Sequence, residues 1–148
     1  MPKYAAPVSD FRFILSEVLE IDTFGDLPGF EDVNTALINA ILDEAGKFTS
    51  EVIAPLNQVG DKEGCTHHTD GSVVTPPGFK EAYDKYCEAG WGTLNQPKEF
   101  GGQGLPNVLA FALKEMMSSA NQAFGMYPGL TNGAIEAIKA KGDQFQKE

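Results

Sequence analysis

Between Asn107 and Ala120 the chain is apolar almost all the way round a helix. Val108, Leu109, Phe111, Ala112, Leu113, Met116, Met117 and Ala120 leave only a narrow polar strip. A helix apolar over so much of its circumference has to be packed on several neighbours, so this segment predicts a central helix that the rest of the chain surrounds. The neighbours are legible at the same 3.6-residue period. Phe11, Ile14, Leu15, Val18 and Leu19 form one stripe, with Ser9 placed to cap it. A longer helix is predicted from about Asp32, burying Leu37, Ile38, Ile41, Leu42, Ala45, Phe48, Val52 and Ile53 until Pro55 ends or kinks it.

Asn57 to Gly71 is polar and rich in turn residues, and Gly71 to Val74 reads as a short extended piece. Thr75, Pro76 and Pro77 signal the start of a third helix carrying Phe79, Ala82, Tyr83, Tyr86 and Cys87, with Gly90 just past its end. After a glycine-rich loop, Asn107 is the expected cap of the central helix. A break from Gly125 to Gly129 leads to a last long helix from Leu130 to Lys141, closed by Gly142. The reading is an all-α domain of up to six helices with strand content near zero.

Asp143 and Gln146 have the spacing of a capping box, so Asp143 to Glu148 reads as the first turn of another helix. One turn is marginal alone. The sequence is therefore expected to be cut short.

The 148 residues are 42% hydrophobic, enough for a core without disulfide or metal staples. The net charge is −10 and Arg12 is the only arginine, which excludes the clustered cations of a nucleic-acid surface. Met1 to Asp10 has no apolar leader, and no stretch has the length of a membrane span. Cys65 and Cys87 are expected as free thiols in a reducing cytoplasm.

Four places could carry chemistry. Gly101, Gly102 and Gly104 are dense enough for a phosphate cradle, but no apolar strand precedes them and no Lys-Ser or Lys-Thr follows, so a tight structural turn is expected. Cys65, His67, His68 and Asp70 have ligand-type side chains, yet adjacent histidines in a loop point apart and no second ligand pair exists; no metal site is expected. Glu115 and Glu136 are carboxylates on otherwise apolar helices and read as solvated or capping groups. Phe124 to Gly133 mixes Met126 and Leu130 with three glycines and Pro128. This suits either an alkyl-chain pocket or a plain helix–helix corner.

The ordered motifs also resemble a family. Gly90, Trp91 and Gly92, followed by Pro97 to Pro106 with Glu99, Gly101, Gly102 and Gly104, resemble the Pro-Glu-x-Gly-Gly-x-Gly segment of acyl-CoA dehydrogenases. Tyr4 to Pro7, Asp10, Phe13, Glu17 to Leu19, Ala54 to Asn57, Gly60 to Gly64 and Thr75 to Tyr83 are similar to a longer bacterial subgroup that includes methylmercaptopropionyl-CoA dehydrogenases. The resemblance implies an N-terminal helix and loop over residues 1–30 and the family's N-terminal helical domain over 31–148, without the middle β and C-terminal helical domains. It implies an oxidoreductase that uses FAD to dehydrogenate a fatty acyl-CoA at Cα and Cβ. The glutamate base and most flavin contacts would lie outside this chain, leaving it inactive alone. Electrons would pass to an electron-transfer flavoprotein, and the full-length enzyme would be a homo-oligomer. Carried onto this sequence, the acyl wall is expected in the Phe124 to Gly133 segment with the end of the fourth helix, at Met126, Tyr127, Gly129, Leu130 and Gly133. The alternative is a stand-alone helical module that binds acyl chains or a partner subunit.

Overall fold

The computed structural model describes residues 3–147, and their architecture is helical apart from one small hairpin. Helix α1 (Val8–Arg12) follows Pro7, and Ser9 does not cap it. The Ser9 hydroxyl instead donates to the Asp10 carboxylate. The helix runs on as a π-helical turn, Phe13–Val18, in which Leu19 N–H reaches back five residues to Ile14 O. That wider turn breaks the expected 3.6-residue stripe. Phe11 and Leu15 are buried, whereas Ile14, Val18 and Leu19 face outward. The N-terminal segment is tied down by Tyr4 Oη donating to Met116 O (3.0 Å), Ala6 N–H donating to Ser50 Oγ (3.0 Å), and an Arg12–Asp43 ion pair.

Helix α2 (Thr35–Phe48) begins three residues later than expected, because Asn34 supplies the cap by accepting from Leu37 N–H at 3.0 Å. Pro55 does not end the rod. A π-helical turn, Thr49–Ile53, precedes helix α3 (Ala54–Glu63), and Pro55 falls in the first turn of α3, where a missing N–H is tolerated. Buried Thr49 donates to Ala45 O and Gly46 O across the change of register. Much of the segment that looked turn-rich is therefore α3. The hairpin that follows pairs β1 (Thr66–His67) with β2 (Val73–Val74), Thr66 opposite Val74.

Helix α4 (Phe79–Glu88) starts beyond the Thr75–Pro77 signal, with Gly78 as its N-cap. It ends as expected on Gly90, whose φ of 71° is the left-handed conformation that closes a helix at low cost to glycine. Helix α5 (Asn107–Ala120) is the predicted central element and packs on both α2 and α6. Asn107 does not cap it; its Oδ1 accepts from Asn95 Nδ2 at 2.8 Å. Helix α6 (Gln122–Lys141) and the short α7 (Gln144–Lys147) complete the fold. The capping box at α7 forms reciprocally: Asp143 N–H donates to Gln146 Oε1 and Gln146 N–H to Asp143 Oδ1. Glu148 lies outside the described residues.

The core joins α2, α4, α5 and α6. Phe124, Ile38, Leu42, Ile53, Leu109 and Met116 are its fully buried large side chains. Phe124 stacks obliquely on Phe79, with ring centres 6.0 Å apart.

Candidate functional site: a cleft between α5 and α6

The expected break at Gly125 to Gly129 is absent, and a single helix runs through it. Two tertiary facts override the weak local propensity of Gly and Pro. Asn121, itself 1% exposed, caps the helix by accepting from Phe124 N–H at 3.0 Å, and both Phe124 and Pro128 are buried against the core. Once this segment is helical, Gly125, Gly129 and Gly133 recur every four residues and share one face.

That face looks across a cleft of about 320 Å³ toward Ala110, Phe111, Leu113, Lys114 and Met117 of α5. A Cβ added to Gly129 or Gly133 would meet nothing within 4 Å. The glycines thus hold space open rather than permitting a close helix contact. Tyr86 of α4 and Trp91 from the turn after it form a third wall. Phe48 holds them side by side, its ring centre 6.5 Å from Tyr86 and 6.2 Å from Trp91. Burial pushes the Tyr86 hydroxyl up to about 12, so it stays protonated at neutral pH. The Trp91 indole Nε1–H is buried without a partner.

Of the residues expected in the acyl wall, Gly129 and Gly133 line this cleft. Met126, Tyr127 and Leu130 lie on other faces of α6. Met126 and Leu130 are 57% and 75% exposed, and Tyr127 packs on the rings of Phe124 and Tyr83. Pro128 belongs to the segment expected to form the wall, and the end of α5 was expected beside it; Tyr86, Trp91 and the earlier α5 residues Ala110 and Phe111 were not singled out for a site. Only the four-residue glycine spacing could have pointed to them, and it acquires meaning once Pro128 is known to lie inside a helix.

The glycine-rich loop is a structural turn. Its amides are consumed internally: Gly101 N–H donates to Lys98 O, Gly102 to Pro97 O, Gln103 to Thr93 O, Gly104 to Gln96 O and Leu105 to Leu94 O, all within 3.1 Å. None is left to cradle a phosphate. Cys65 and Cys87 are unpaired and exposed, and among the described residues no group of three His, Cys, Asp or Glu is placed to hold a metal. Asp70 lies below the ordinary carboxylate range because it accepts from Ser72, a turn interaction within the hairpin. Among the described residues, no helix is long and apolar enough to cross a membrane.

Comparison with known proteins places the chain in a family. The profile of the acyl-CoA dehydrogenase N-terminal domain matches residues 35–148. The chain is 40% identical, over 97% of its length, to 3-methylmercaptopropionyl-CoA dehydrogenase of Ruegeria pomeroyi. It is 31% identical, over 98%, to a butyryl-CoA dehydrogenase of Syntrophomonas wolfei. It is also 31% identical, over its full length, to the broad-specificity linear acyl-CoA dehydrogenase FadE5 of Mycobacterium tuberculosis. The chain spans 24% of the length of each of these relatives. With its matched residues beginning at the first residue of α2 and taking in the whole α5–α6 cleft, the chain belongs to the acyl-CoA dehydrogenase family and carries that family's N-terminal domain.

Proposed function

We propose that this chain is the N-terminal part of an FAD-dependent acyl-CoA dehydrogenase acting on a fatty acyl-CoA or a methylthioacyl-CoA, and that the α5–α6 cleft is one wall of its acyl pocket. In this reading residues 1–30 are a segment added ahead of the helical domain of 31–148. The observation that carries it is the glycine face of α6 at Gly125, Gly129 and Gly133, set across open space from Leu113 and Met117. At about 320 Å³ the cleft is at the small end of ligand sites, which favours a short chain. Its residues bind and orient the chain and keep water from it, each buried methylene contributing about 0.8 kcal/mol.

Flavin does not fit the described residues. The loop amides are spent and the lone Arg12 pairs with Asp43 at the far N-terminal strap. FAD, the base and the route to an electron-transfer flavoprotein belong, in this reading, to other parts of a homo-oligomeric cytoplasmic enzyme. The 148-residue chain should accordingly purify colourless and without dehydrogenase activity. Yellow, FAD-loaded protein would overturn that division of labour. For the pocket, calorimetric titration should show pentanoyl-CoA binding where CoA alone does not; equal binding of the two would remove the acyl-wall assignment.

A second reading, a stand-alone acyl-binding or assembly module, draws on the same α5–α6 cleft. It requires a monodisperse, cooperatively melting monomer. The enzyme reading instead expects self-association through exposed Phe111, Met126 and Leu130. Size-exclusion chromatography beside a thermal melt separates them.

A further inference from the structure

Residues 3–7 lead into α1 as a strap with neither helix nor strand, and alternate side chains hold it down. Tyr4, Ala6 and then Val8 pack on the core, while Ala5 and Pro7 are exposed. A bare groove seats the strap. Gly46 lies buried inside α2, where glycine is a poor helix former, and a Cβ added there would overlap the Val8 side chain. Ser50 Oγ, about one turn on, accepts from Ala6 N–H at 3.0 Å. Tyr4 reaches further. Its hydroxyl donates to Met116 O of α5 at 3.0 Å and lies beside Thr49, in the π-helical turn that follows α2. The strap thus ties α5 to the α2 rod from outside the family domain, which begins at residue 35.

Met116 stands two residues from Lys114 and from Ser118, both of which line the cleft, and so lies about 200° round the helix from each. Helix α5 packs on α2 and on α6, so the tie grips it on its α2 side and the cleft opens on its α6 side. A carbonyl oxygen has two lone pairs, so the phenol can hold Met116 O without breaking the helix's own bond. Met116 is fully buried, and α5 cannot shift there without carrying Leu113 and Met117, which stand across the cleft from the glycine face of α6. We propose that Tyr4 is a positioning residue for the acyl site: its hydroxyl holds α5 back toward α2 and so keeps the gap to α6 wide enough for the bound chain. This rests on the reading of the cleft as an acyl pocket. It adds to that pocket a residue 112 positions from the carbonyl it holds, and makes the N-terminal strap part of what sets chain length.

Tyr4→Phe removes the hydroxyl and keeps the ring that packs on the core. With the tie cut, α5 should settle toward α6. In the free chain, NMR should then show stronger NOE contacts from the Met117 methyl to the α-protons of Gly129 and Gly133. In calorimetric titrations, affinity for octanoyl-CoA relative to pentanoyl-CoA should fall about threefold or more, with pentanoyl-CoA little affected. Gly101→Ala, in the glycine-rich loop, controls for lost stability: it should lower the melting temperature without moving the NOE contacts or the affinity ratio. If Tyr4→Phe behaves like that control, the tie only stabilises the fold; the inference is then wrong while the acyl reading stands. If neither thioester binds the wild-type chain, the acyl reading falls and takes the inference with it.

Discussion

Gly102 lies so close beneath the main-chain carbonyl of Gln96 that a Cβ on residue 102 would overlap the carbonyl oxygen. Its neighbour Gly101 has the complementary constraint: nothing crowds it, but its φ is +81°. Two adjacent glycines are thus required for different reasons. Gly101→Ala should cost only the left-handed penalty of about 1–2 kcal/mol. Gly102→Ala must displace backbone in a loop held by five internal amide bonds, and should cost about 3 kcal/mol or more. Urea denaturation of the two variants reads the difference, and equal losses would show that the loop relaxes around residue 102.

Asn121 joins α5 to α6 and is buried while capping Phe124 N–H. Asn121→Ala should destabilise the domain by about 1–2 kcal/mol. Because the cap is what carries the helix through Gly125 and Pro128, the cleft should loosen as well. Hydrogen exchange at residues 124–129 should accelerate more than in α2. Uniform acceleration across the chain would mean that the cap has no local role.

Gly129 and Gly133 separate binding from packing by sign. With free space at each Cβ, Gly129→Leu or Gly133→Leu should raise helix stability by up to about 1 kcal/mol, since glycine is the poorer helix former. The same leucine fills the cleft, so affinity for acyl-CoA thioesters should fall about tenfold or more, with longer chains rejected first. Calorimetry alongside a thermal melt tests both halves. Lower stability with an unchanged chain-length profile would make these packing residues.

Tyr86 gives the domain an alkaline limit. Burial raises its hydroxyl from 10.0 to about 12, so the fold favours the protonated form. That contribution is complete below pH 10 and is lost as pH rises through about 12, amounting to roughly 3 kcal/mol at most. Tyr4 and Tyr83 are also raised, chiefly by burial, and titrate in the same range. The comparison is therefore between wild type and Tyr86→Phe, whose stability curves should diverge over that window. Parallel curves would show that the hydroxyl is hydrated in the fold.

Much of the domain was written in local chemistry. An apolar circumference named α5 as central, Gly90 closed α4, and the Asp143–Gln146 box opened α7, because each depends on groups a few residues apart. The spent amides of Gly101 to Leu105 agree with a loop that lacked both strand and Lys-Ser signal. What the sequence could not determine were the places where a distant contact outweighs a local preference. Pro128 and the glycines read as a break until Asn121 and the buried Phe124 carry α6 across them. Only that tertiary decision turns Gly125, Gly129 and Gly133 into one face, sends Met126 and Leu130 elsewhere, and brings Tyr86 and Trp91 opposite. A change of helical register acts likewise at Ile14 and Val18, where a π turn moves predicted core residues outward. Helix-interior costs of about 1 kcal/mol for each glycine and about 3 for proline are offset only by several tertiary terms together, the Asn121 cap and the burial of Phe124 and Pro128 among them, each large side chain contributing about 1.5–3 kcal/mol.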